Sequence, residues 1–270
     1  MIPGAFDYHV AADVQQAEAL IREHGEDAKL IAGGMSLIPL MKMRLAQPAV
    51  LVDIGHLDEL RYIRAEAGRL HVGALTRHVD LARSPLVREN LPLLAETAAE
   101  VGDAQVRARG TIGGVVSHAD SAGDYCTLAV MLDAEIVTTR RRFSAVDFFV
   151  DFMTTPLDSD EIVTEVSFPL QRGPHTYLKF RRRRSDWAMV GVGVQSTTGG
   201  WRIGLTNVIS KVIRARVAEA ALAGGATAAE AAAAISEEVS PNEDFATPAV
   251  YKKALVRTLT ERALRDVGVS

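Results

Sequence analysis

Residues 29–44 read KLIAGGMSLIPLMKMR, and this stretch decides how the first part of the chain folds. The apolar run from Ala28 to Ala32 predicts a buried strand, and residues 37–45 resume a helical pattern. Pro39 is compatible with that helix only in its first turn. A strand, a glycine pair and a helix in direct succession predict an α/β unit.

The glycine pair in this stretch has the chemistry of an anion site. Successive glycines let several backbone N–H groups point into one concavity, and the helix that follows adds partial positive charge. Ser36 can add a hydroxyl donor, so the turn suits a pyrophosphate. A tight turn without a ligand is the alternative. The turn matches neither G-x-x-x-x-G-K-[ST] nor G-x-G-x-x-G, and Gly191-Val192-Gly193 is predicted to lie in a strand.

A second glycine pair lies in residues 109–124, RGTIGGVVSHADSAGD. The stretch has no amphipathic period, so we predict a loop. Thr111 offers a hydroxyl, and Asp124 could accept hydrogen bonds from a ribose, as acidic residues do in other dinucleotide sites. We expect main-chain amides at both glycine turns to converge on one long dinucleotide. For His118 and Asp120 the alternative is a polar loop pair satisfied locally, and a metal site there lacks further ligands.

Helix and turn signals organise the rest of the chain. Asp13 and Gly25 are expected to bound a helix, Thr76 and Ser84 to begin two others, and Gly68 to lie in a hairpin turn. The composition changes near residues 171–174, and strand-like stretches follow, with Gly199-Gly200 as a turn. Two further helical segments are predicted, residues 216–239 with a break at Gly224-Gly225, and residues 249–267.

Composition excludes several classes of function. The net charge of −4 gives no basic field for nucleic acid. The lone Cys126 can form neither an internal disulfide nor an iron–sulfur or zinc site. The N-terminus lacks signal-peptide character and no apolar run reaches 18 residues, so we expect a cytoplasmic protein without a membrane span. The basic run Arg181 to Arg184 is predicted to be a solvated edge or an inter-subunit contact. Trp187 and Trp201 are expected to be packing residues.

Taken together, AGGMSLIPLMKMR and RGTIGGVVSHADSAGD resemble the FAD-binding medium subunit of bacterial molybdenum hydroxylases, the carbon monoxide dehydrogenase and xanthine dehydrogenase family. The stretch 177–194, YLKFRRRRSDWAMVGVGV, resembles the start of that family's C-terminal domain. The resemblance implies an α+β fold: a PCMH-type FAD-binding domain (1–172) of two α/β subdomains, about 1–55 and 56–172, and a C-terminal α+β domain (173–270) of the carbon monoxide dehydrogenase flavoprotein type, with an antiparallel sheet.

The resemblance also implies a cofactor, partners and site residues. FAD would be bound noncovalently, with molybdopterin in a large partner subunit and two [2Fe–2S] clusters in a small one, in a dimer of heterotrimers. No catalytic or metal-binding residue is expected in this chain. The first glycine turn would hold the pyrophosphate, and the second would lie along the ribityl chain and the flavin. Asp124 would contact the adenosine portion. Val163 would contact the isoalloxazine through its backbone, and Lys179 would lie near the flavin edge. The cofactor-binding residues predicted are Ala32, Gly33, Gly34, Met35, Ser36, Leu37, Thr111, Ile112, Gly113, Gly114, Val115, Asp120, Asp124, Val163 and Lys179.

Two departures and two alternatives qualify this interpretation. Many relatives have His where Met35 stands and Asn or Asp where Val115 stands, so Met35 would contribute only its backbone N–H and Val115 no side-chain hydrogen bond. A free-standing FAD oxidoreductase of the same fold is one alternative. A serine hydrolase is the other, because residues 34–38 partly match the nucleophile elbow G-x-S-x-G, although Ile38 replaces its second glycine.

Overall fold

The structure is a computed structural model that describes residues 2–244 and 247–270. Its strands form three sheets, and each sheet draws its strands from one stretch of the chain. The mixture of helices with one parallel and two antiparallel sheets confirms the predicted α+β class.

The first sheet has three parallel strands in the order β1-β3-β2, and two helices connect them. The Asp13 carboxylate accepts from Gln16 N and Gly25 ends the first helix with a φ of +56°, both as predicted. The second helix ends earlier than the pattern suggested, at Lys42 rather than at residue 45. The elements are β1 (Asp7–Val10), α1 (Val14–His24), β2 (Ala28–Ile31), α2 (Leu37–Lys42) and β3 (Val50–Asp53).

The second sheet has five antiparallel strands in the order β4-β5-β8-β6-β7, with β8 at its centre. The predicted hairpin turn lies at Ala67-Gly68, where both residues have positive φ. Ser84 caps a helix as predicted, but Thr76 does not, because its hydroxyl donates to Tyr62 O. The elements are β4 (Ile63–Glu66), β5 (Arg69–Gly73), α3 (His78–Arg83), α4 (Pro85–Asn90), α5 (Pro92–Glu100), α6 (Ala104–Arg109), α7 (Ile112–His118), α8 (Asp124–Met131), β6 (Glu135–Thr138), β7 (Arg142–Ser144), α9 (Ala145–Phe148) and β8 (Val163–Pro169).

The third sheet has four antiparallel strands in the order β12-β11-β10-β9, packed against the last helices. Gly191 and Gly193 lie in a strand, as predicted. The last helix buries Leu255, Leu259 and Ala263 at helical spacing, which fixes its face toward the sheet. The elements are β9 (His175–Phe180), β10 (Val190–Thr197), β11 (Gly200–Thr206), β12 (Ile213–Arg214), α10 (Arg216–Ala223), α11 (Ala228–Glu238) and α12 (Ala249–Asp266).

Candidate functional site

A cavity of about 880 Å³ lies where the three sheet regions meet. Its walls come from the β2–α2 turn, the start of α7, the turn before α8, residues 157–163 ahead of and at the start of β8, and residues 185–187 between β9 and β10. The lining is mostly apolar with a few polar groups, and the volume lies in the range of roughly 300–1,000 Å³ typical of ligand pockets.

The two glycine pairs meet at this cavity. Gly34 has a φ of +72°, a conformation that favours glycine. A Cβ on Gly33 would lie 2.3 Å from Arg109 O and 2.9 Å from Gly110 Cα, so only glycine allows this contact. The β2–α2 turn therefore packs directly on the chain that leads into the second glycine pair.

The β2–α2 turn presents unused hydrogen-bond donors. Within residues 2–244 and 247–270, no acceptor is bound to the backbone N–H of Gly34, Met35 or Ser36. The Ser36 side chain forms no capping bond to α2. Because α2 has only six residues, the anion-binding capacity of the turn rests on these N–H groups more than on a helix dipole.

The second glycine pair is not the loop that the sequence suggested. It forms the first turn of α7, which Thr111 caps by accepting from Gly114 N at 3.2 Å. The N–H groups of Ile112 and Gly113 donate to Thr76 O and Ala74 O. The expectation of free amides at both turns is therefore wrong for the second glycine pair. The β2–α2 turn has free amides, whereas the glycines of α7 allow close packing.

Close approach explains why glycines occur in α7. A Cβ on Gly113 would lie 2.5 Å from Ala74 Cβ, so packing on the residue that follows β5 requires glycine there. A Cβ on Gly114 would meet only Thr111 Oγ1, at 2.9 Å, and Gly114 is exposed in the cavity wall. The bare backbone of Gly114 thus leaves room for a flat or extended ligand.

A buried ion pair closes the wall toward the third sheet. Lys179 Nζ donates to Asp124 Oδ2 at 2.7 Å, and both side chains are 5% exposed. Tyr177 Oη donates to Asp124 Oδ1 at 2.6 Å and lies 2.9 Å from Thr206 Oγ1. Burial, followed by the nearby Asp124 charge, raises the pKa of Tyr177 well above its usual value. Asp124 and Lys179 therefore satisfy each other across the junction of α8 and β9.

Residues 157–163 form another wall, and Glu161 holds it in place. Its buried carboxylate accepts from Arg141 Nη2 at 2.7 Å, from Thr138 Oγ1 and from Asp158 N. Hydrogen bonding from Arg141, the largest contribution, lowers the pKa of Glu161 to about 2. The network fixes the approach to Val163, which lines the cavity at the start of β8.

Several cavity residues were not assigned to the site in the sequence analysis, among them His78, Glu161 and Trp187. Burial, helped by the Arg107 charge, lowers the pKa of His78 to about 4, so its imidazole is neutral at pH 7. The prediction that Trp187 is a packing residue is wrong, since it is 59% exposed at the cavity, whereas Trp201 packs on the third sheet as predicted. In the sequence, the aromatic side chain of Trp187 was the only feature that could have suggested a place in the site.

The structure brings fourteen of the fifteen predicted cofactor-binding residues to the cavity. Ile112 is the exception, because its side chain is fully buried in the core beneath α7. Asp120 lies at the cavity, and its carboxylate also accepts a hydrogen bond from Ala122 N. The alternative that Asp120 is hydrogen-bonded within its own loop is therefore observed. In the Arg181–Arg184 run, Arg181 pairs with Glu100 and the other three are exposed.

Alternative chemistries find little support in the described residues. Over residues 2–244 and 247–270, no group of three His, Cys, Asp or Glu side chains could hold a metal ion. No hydrogen bond joins Ser36 to a histidine in that part of the chain, whereas a nucleophilic serine is activated by an adjacent base. None of the described helices is long and apolar enough to span a membrane.

Comparison with known proteins gives a consistent result over the whole chain. A family model described as FAD binding domain in molybdopterin dehydrogenase matches residues 4–171, and one described as CO dehydrogenase flavoprotein C-terminal domain matches residues 175–267. The carbon monoxide dehydrogenase medium chain of Hydrogenophaga pseudoflava is 40% identical, covering 98% of this chain and 97% of that protein. The 6-hydroxypseudooxynicotine dehydrogenase complex subunit alpha of Paenarthrobacter nicotinovorans is 34% identical, covering 98% and 95%.

A solved structure agrees with these relatives. The carbon monoxide dehydrogenase from Hydrogenophaga pseudoflava that lacks the Mo-pyranopterin moiety of its molybdenum cofactor contains a chain that superposes with a TM-score of 0.93. That chain is 41% identical, and the match covers 99% of the present chain and 98% of the solved one. Fold and sequence therefore point to the same family.

Proposed function

Because the chain belongs to the FAD-binding medium subunits of the molybdenum hydroxylases, and so is the flavoprotein subunit of an oxidoreductase, we propose that it binds FAD noncovalently in the cavity described above. In this proposal the chain takes electrons from [2Fe–2S] clusters of a small partner subunit and passes them to an external acceptor. A large partner subunit with molybdopterin would oxidise the substrate. The free amides of the β2–α2 turn are the observation that carries the placement of FAD.

The residues present fit the cofactor. The unpaired N–H groups of Gly34, Met35 and Ser36 suit a pyrophosphate, which needs several donors at one point. Met35 contributes through its backbone alone, so the absence of a histidine there leaves the amide cradle intact. The bare Gly114 backbone and the apolar stretch around Val115 and Val163 suit a flat ring. When bound, the isoalloxazine supplies reversible electron transfer, while the protein supplies position and electrostatics.

The chain's own residues bind, orient and shield the cofactor, and none of them needs to move a proton. Thr111 retains a hydroxyl hydrogen after accepting from Gly114 N. The Asp124–Lys179 pair and the Glu161–Arg141 pair hold two walls at fixed distances. His78 is neutral at pH 7 because burial lowers its pKa to about 4, so it adds no charge to the cavity. This arrangement matches a subunit whose role is electron transfer.

Noncovalent binding is supported by the surroundings of Cys126, since cysteine and histidine are the two residue types that could form a bond to flavin. Cys126 is fully buried, its Sγ lies 3.6 Å from Val115 O, and burial raises its pKa, which makes it unreactive. His118 lines the cavity at the end of α7 and is the residue to examine. We expect acid precipitation to release all flavin into the supernatant. Flavin that stays with the pellet in the native chain, but not in His118→Ala, would contradict the proposal.

The substrate and the assembly are the next level of the proposal. Similar proteins are named for carbon monoxide, 6-hydroxypseudooxynicotine, glyceraldehyde and nicotine, so the substrate is not decided by this chain. We propose a dimer of heterotrimers. Purification of the native complex should give one FAD per copy of this chain, with molybdenum and iron in the co-purifying subunits. A chain that purifies alone, with FAD and without metals, would favour the free-standing oxidoreductase.

A serine hydrolase is tested separately. A fluorophosphonate probe reacts with an activated serine, and no histidine of residues 2–244 and 247–270 is hydrogen-bonded to Ser36. We therefore expect no labelling of the folded chain. Labelling that disappears in Ser36→Ala would overturn the flavoprotein assignment of this turn.

A further inference from the structure

Asn207, directly after β11, connects two segments that both contribute residues to the cavity wall. It has a φ of +57°, the left-handed conformation that asparagine tolerates better than most residues. Both its backbone groups and both its side-chain groups take part in hydrogen bonds to other segments. None of these partners is its neighbour in sequence.

The first of these segments is the β9–β10 loop, residues 181–189, which carries three cavity residues, Ser185, Asp186 and Trp187. Asn207 Nδ2 donates to Ala188 O at 2.7 Å and also lies 3.4 Å from Met189 O. The base of the loop is closed by Met189 N donating to Phe180 O. The Asn207 side chain therefore holds the arm of the loop that follows Trp187.

The second segment is the turn between α7 and α8. Asn207 N donates to Ser121 O at 2.8 Å, and Ser121 Oγ lies 3.5 Å from Asn207 Oδ1. Asp120 and Gly123 of this turn line the cavity. Because one residue is hydrogen-bonded to both segments, Asn207 ties these two parts of the cavity wall to each other.

The third connection anchors this unit in the C-terminal region. Lys252 of α12 is 2% exposed, and its Nζ donates to Asn207 O at 3.0 Å and to Asp244 Oδ2 at 2.7 Å. A buried ammonium is costly unless it is paired and hydrogen-bonded, so this contact fixes the Asn207 carbonyl firmly. The position of Asn207 is thus tied to α12 through its carbonyl oxygen.

We propose that Asn207 is a positioning residue for FAD: it holds the β9–β10 loop against the α7–α8 turn and so slows release of the cofactor. The proposal rests on the placement of FAD in this cavity. It assigns no contact between Asn207 and the cofactor, since Asn207 acts through Ala188 and Ser121.

Asn207→Gly is the informative variant. Glycine adopts the positive φ without strain, and the backbone bonds to Ser121 and Lys252 remain, so only the side-chain bonds are removed. We expect an about tenfold faster release of FAD from the purified complex, and faster amide hydrogen exchange at Asp186 and Met189. Asn207→Asp should release FAD faster still, because its carboxylate would face the Ala188 carbonyl without a donor.

Thr227→Ala is the matched control. It removes the capping box of α11, a helix that contributes no residue to the cavity wall. We expect it to lower stability without changing exchange in the β9–β10 loop or FAD release. If Thr227→Ala and Asn207→Gly have the same effects, or if Asn207→Gly leaves loop exchange unchanged, the proposal is overturned. If Gly34→Ala also leaves the rate of FAD release unchanged, FAD does not lie at the β2–α2 turn and the proposed function fails. The exchange rates of the β9–β10 loop then still test whether Asn207 holds that loop.

Discussion

Gly34 and Gly68 have nearly the same backbone conformation, with φ of +72° and +76°, but only Gly34 lies in the cavity wall. An alanine at either position suffers the same left-handed strain, of about 1–2 kcal/mol. At Gly68 the added Cβ meets nothing within 4 Å, whereas at Gly34 it meets Ile38 Cγ1 at 3.1 Å. A comparison of alanine variants at the two positions therefore distinguishes a loss of folding stability from a loss of FAD binding.

We predict that Gly34→Ala weakens FAD binding at least tenfold, because the turn must shift and its free amides no longer converge. Gly68→Ala should lose similar stability and bind FAD normally. Flavin content after gel filtration and the midpoint of thermal unfolding measure the two effects. Equal flavin content in the two variants would mean that the β2–α2 turn does not hold the pyrophosphate.

His78 gives the protein a pH-dependent stability. Its pKa is about 4 in the fold and about 6.5 when unfolded, so between these values the unfolded chain binds the extra proton. The stabilising contribution of neutral His78 is therefore fully present above pH 6.5 and is lost as the pH falls toward 4. We predict a loss of about 2 kcal/mol between pH 7 and pH 5, measured by urea unfolding, that is absent in His78→Asn. A variant with the same pH slope as the native chain would exclude His78 as the cause.

Site residues were predictable where the chemistry lies in a contiguous motif. Gly33, Gly34 and Ser36 stand together between a strand and a helix, so local geometry determines what they can do. Glu161 and Trp187 reach the cavity from separate loops, and no local pattern distinguishes them from other loop residues. Their positions depend on how the sheets pack, which a single sequence does not encode in any short stretch.

At the scale of elements, helix caps and hydrophobic periodicity both located helices, although Thr76 is not a cap and the helix α7 was missed. Asp13 and Ser84 were recognised because a short polar side chain precedes an apolar pattern. The helix α7 was read as a loop because its glycine pair interrupts that pattern. Thr111 as a cap, followed by Ile112 and Val116 four residues apart, was the signal that would have identified it.

The segment before β8 depends on one carboxylate, and Glu161→Gln tests it. Hydrogen bonds to a charged group contribute about 1.5–3 kcal/mol, and glutamine cannot accept at both oxygens. We predict a loss of unfolding free energy in that range and a reduced flavin content, because residues 157–163 line the cavity. Glu237→Gln, at an exposed position on α11, should change neither quantity.

The same carboxylate predicts an acid limit for this segment. The pKa of Glu161 is lowered to about 2 in the fold, so its contribution is complete above its ordinary value of 4.5 and disappears as the pH falls toward 2. Denaturation between pH 4.5 and pH 2 should therefore be less steep in Glu161→Gln than in the native chain. An unchanged acid transition would show that Arg141 and Thr138 do not stabilise the ionised form.

At the scale of the whole molecule, the order of strands was not predictable from sequence. The central strand β8 pairs with β5 and β6, which lie about 95 and 30 residues earlier in the chain. The family resemblance supplied the α+β class because it describes a complete fold rather than individual elements. Local patterns gave most elements, and the resemblance gave their arrangement.

The Asp124–Lys179 pair joins the second and third sheet regions, and a double-mutant cycle measures how strongly. Lys179→Met leaves a buried carboxylate without its cation, which costs about 3–5 kcal/mol, and Asp124→Asn leaves the ammonium unpaired. We predict that the double variant is much less destabilised than the sum of the single ones, by more than about 1 kcal/mol, in urea unfolding of the flavin-free chain. The more exposed pair Arg265–Glu261 on α12 is the control and should show a coupling below about 1 kcal/mol. Additive effects of Asp124→Asn and Lys179→Met would mean that the two regions are held together by apolar packing, with the ion pair contributing nothing.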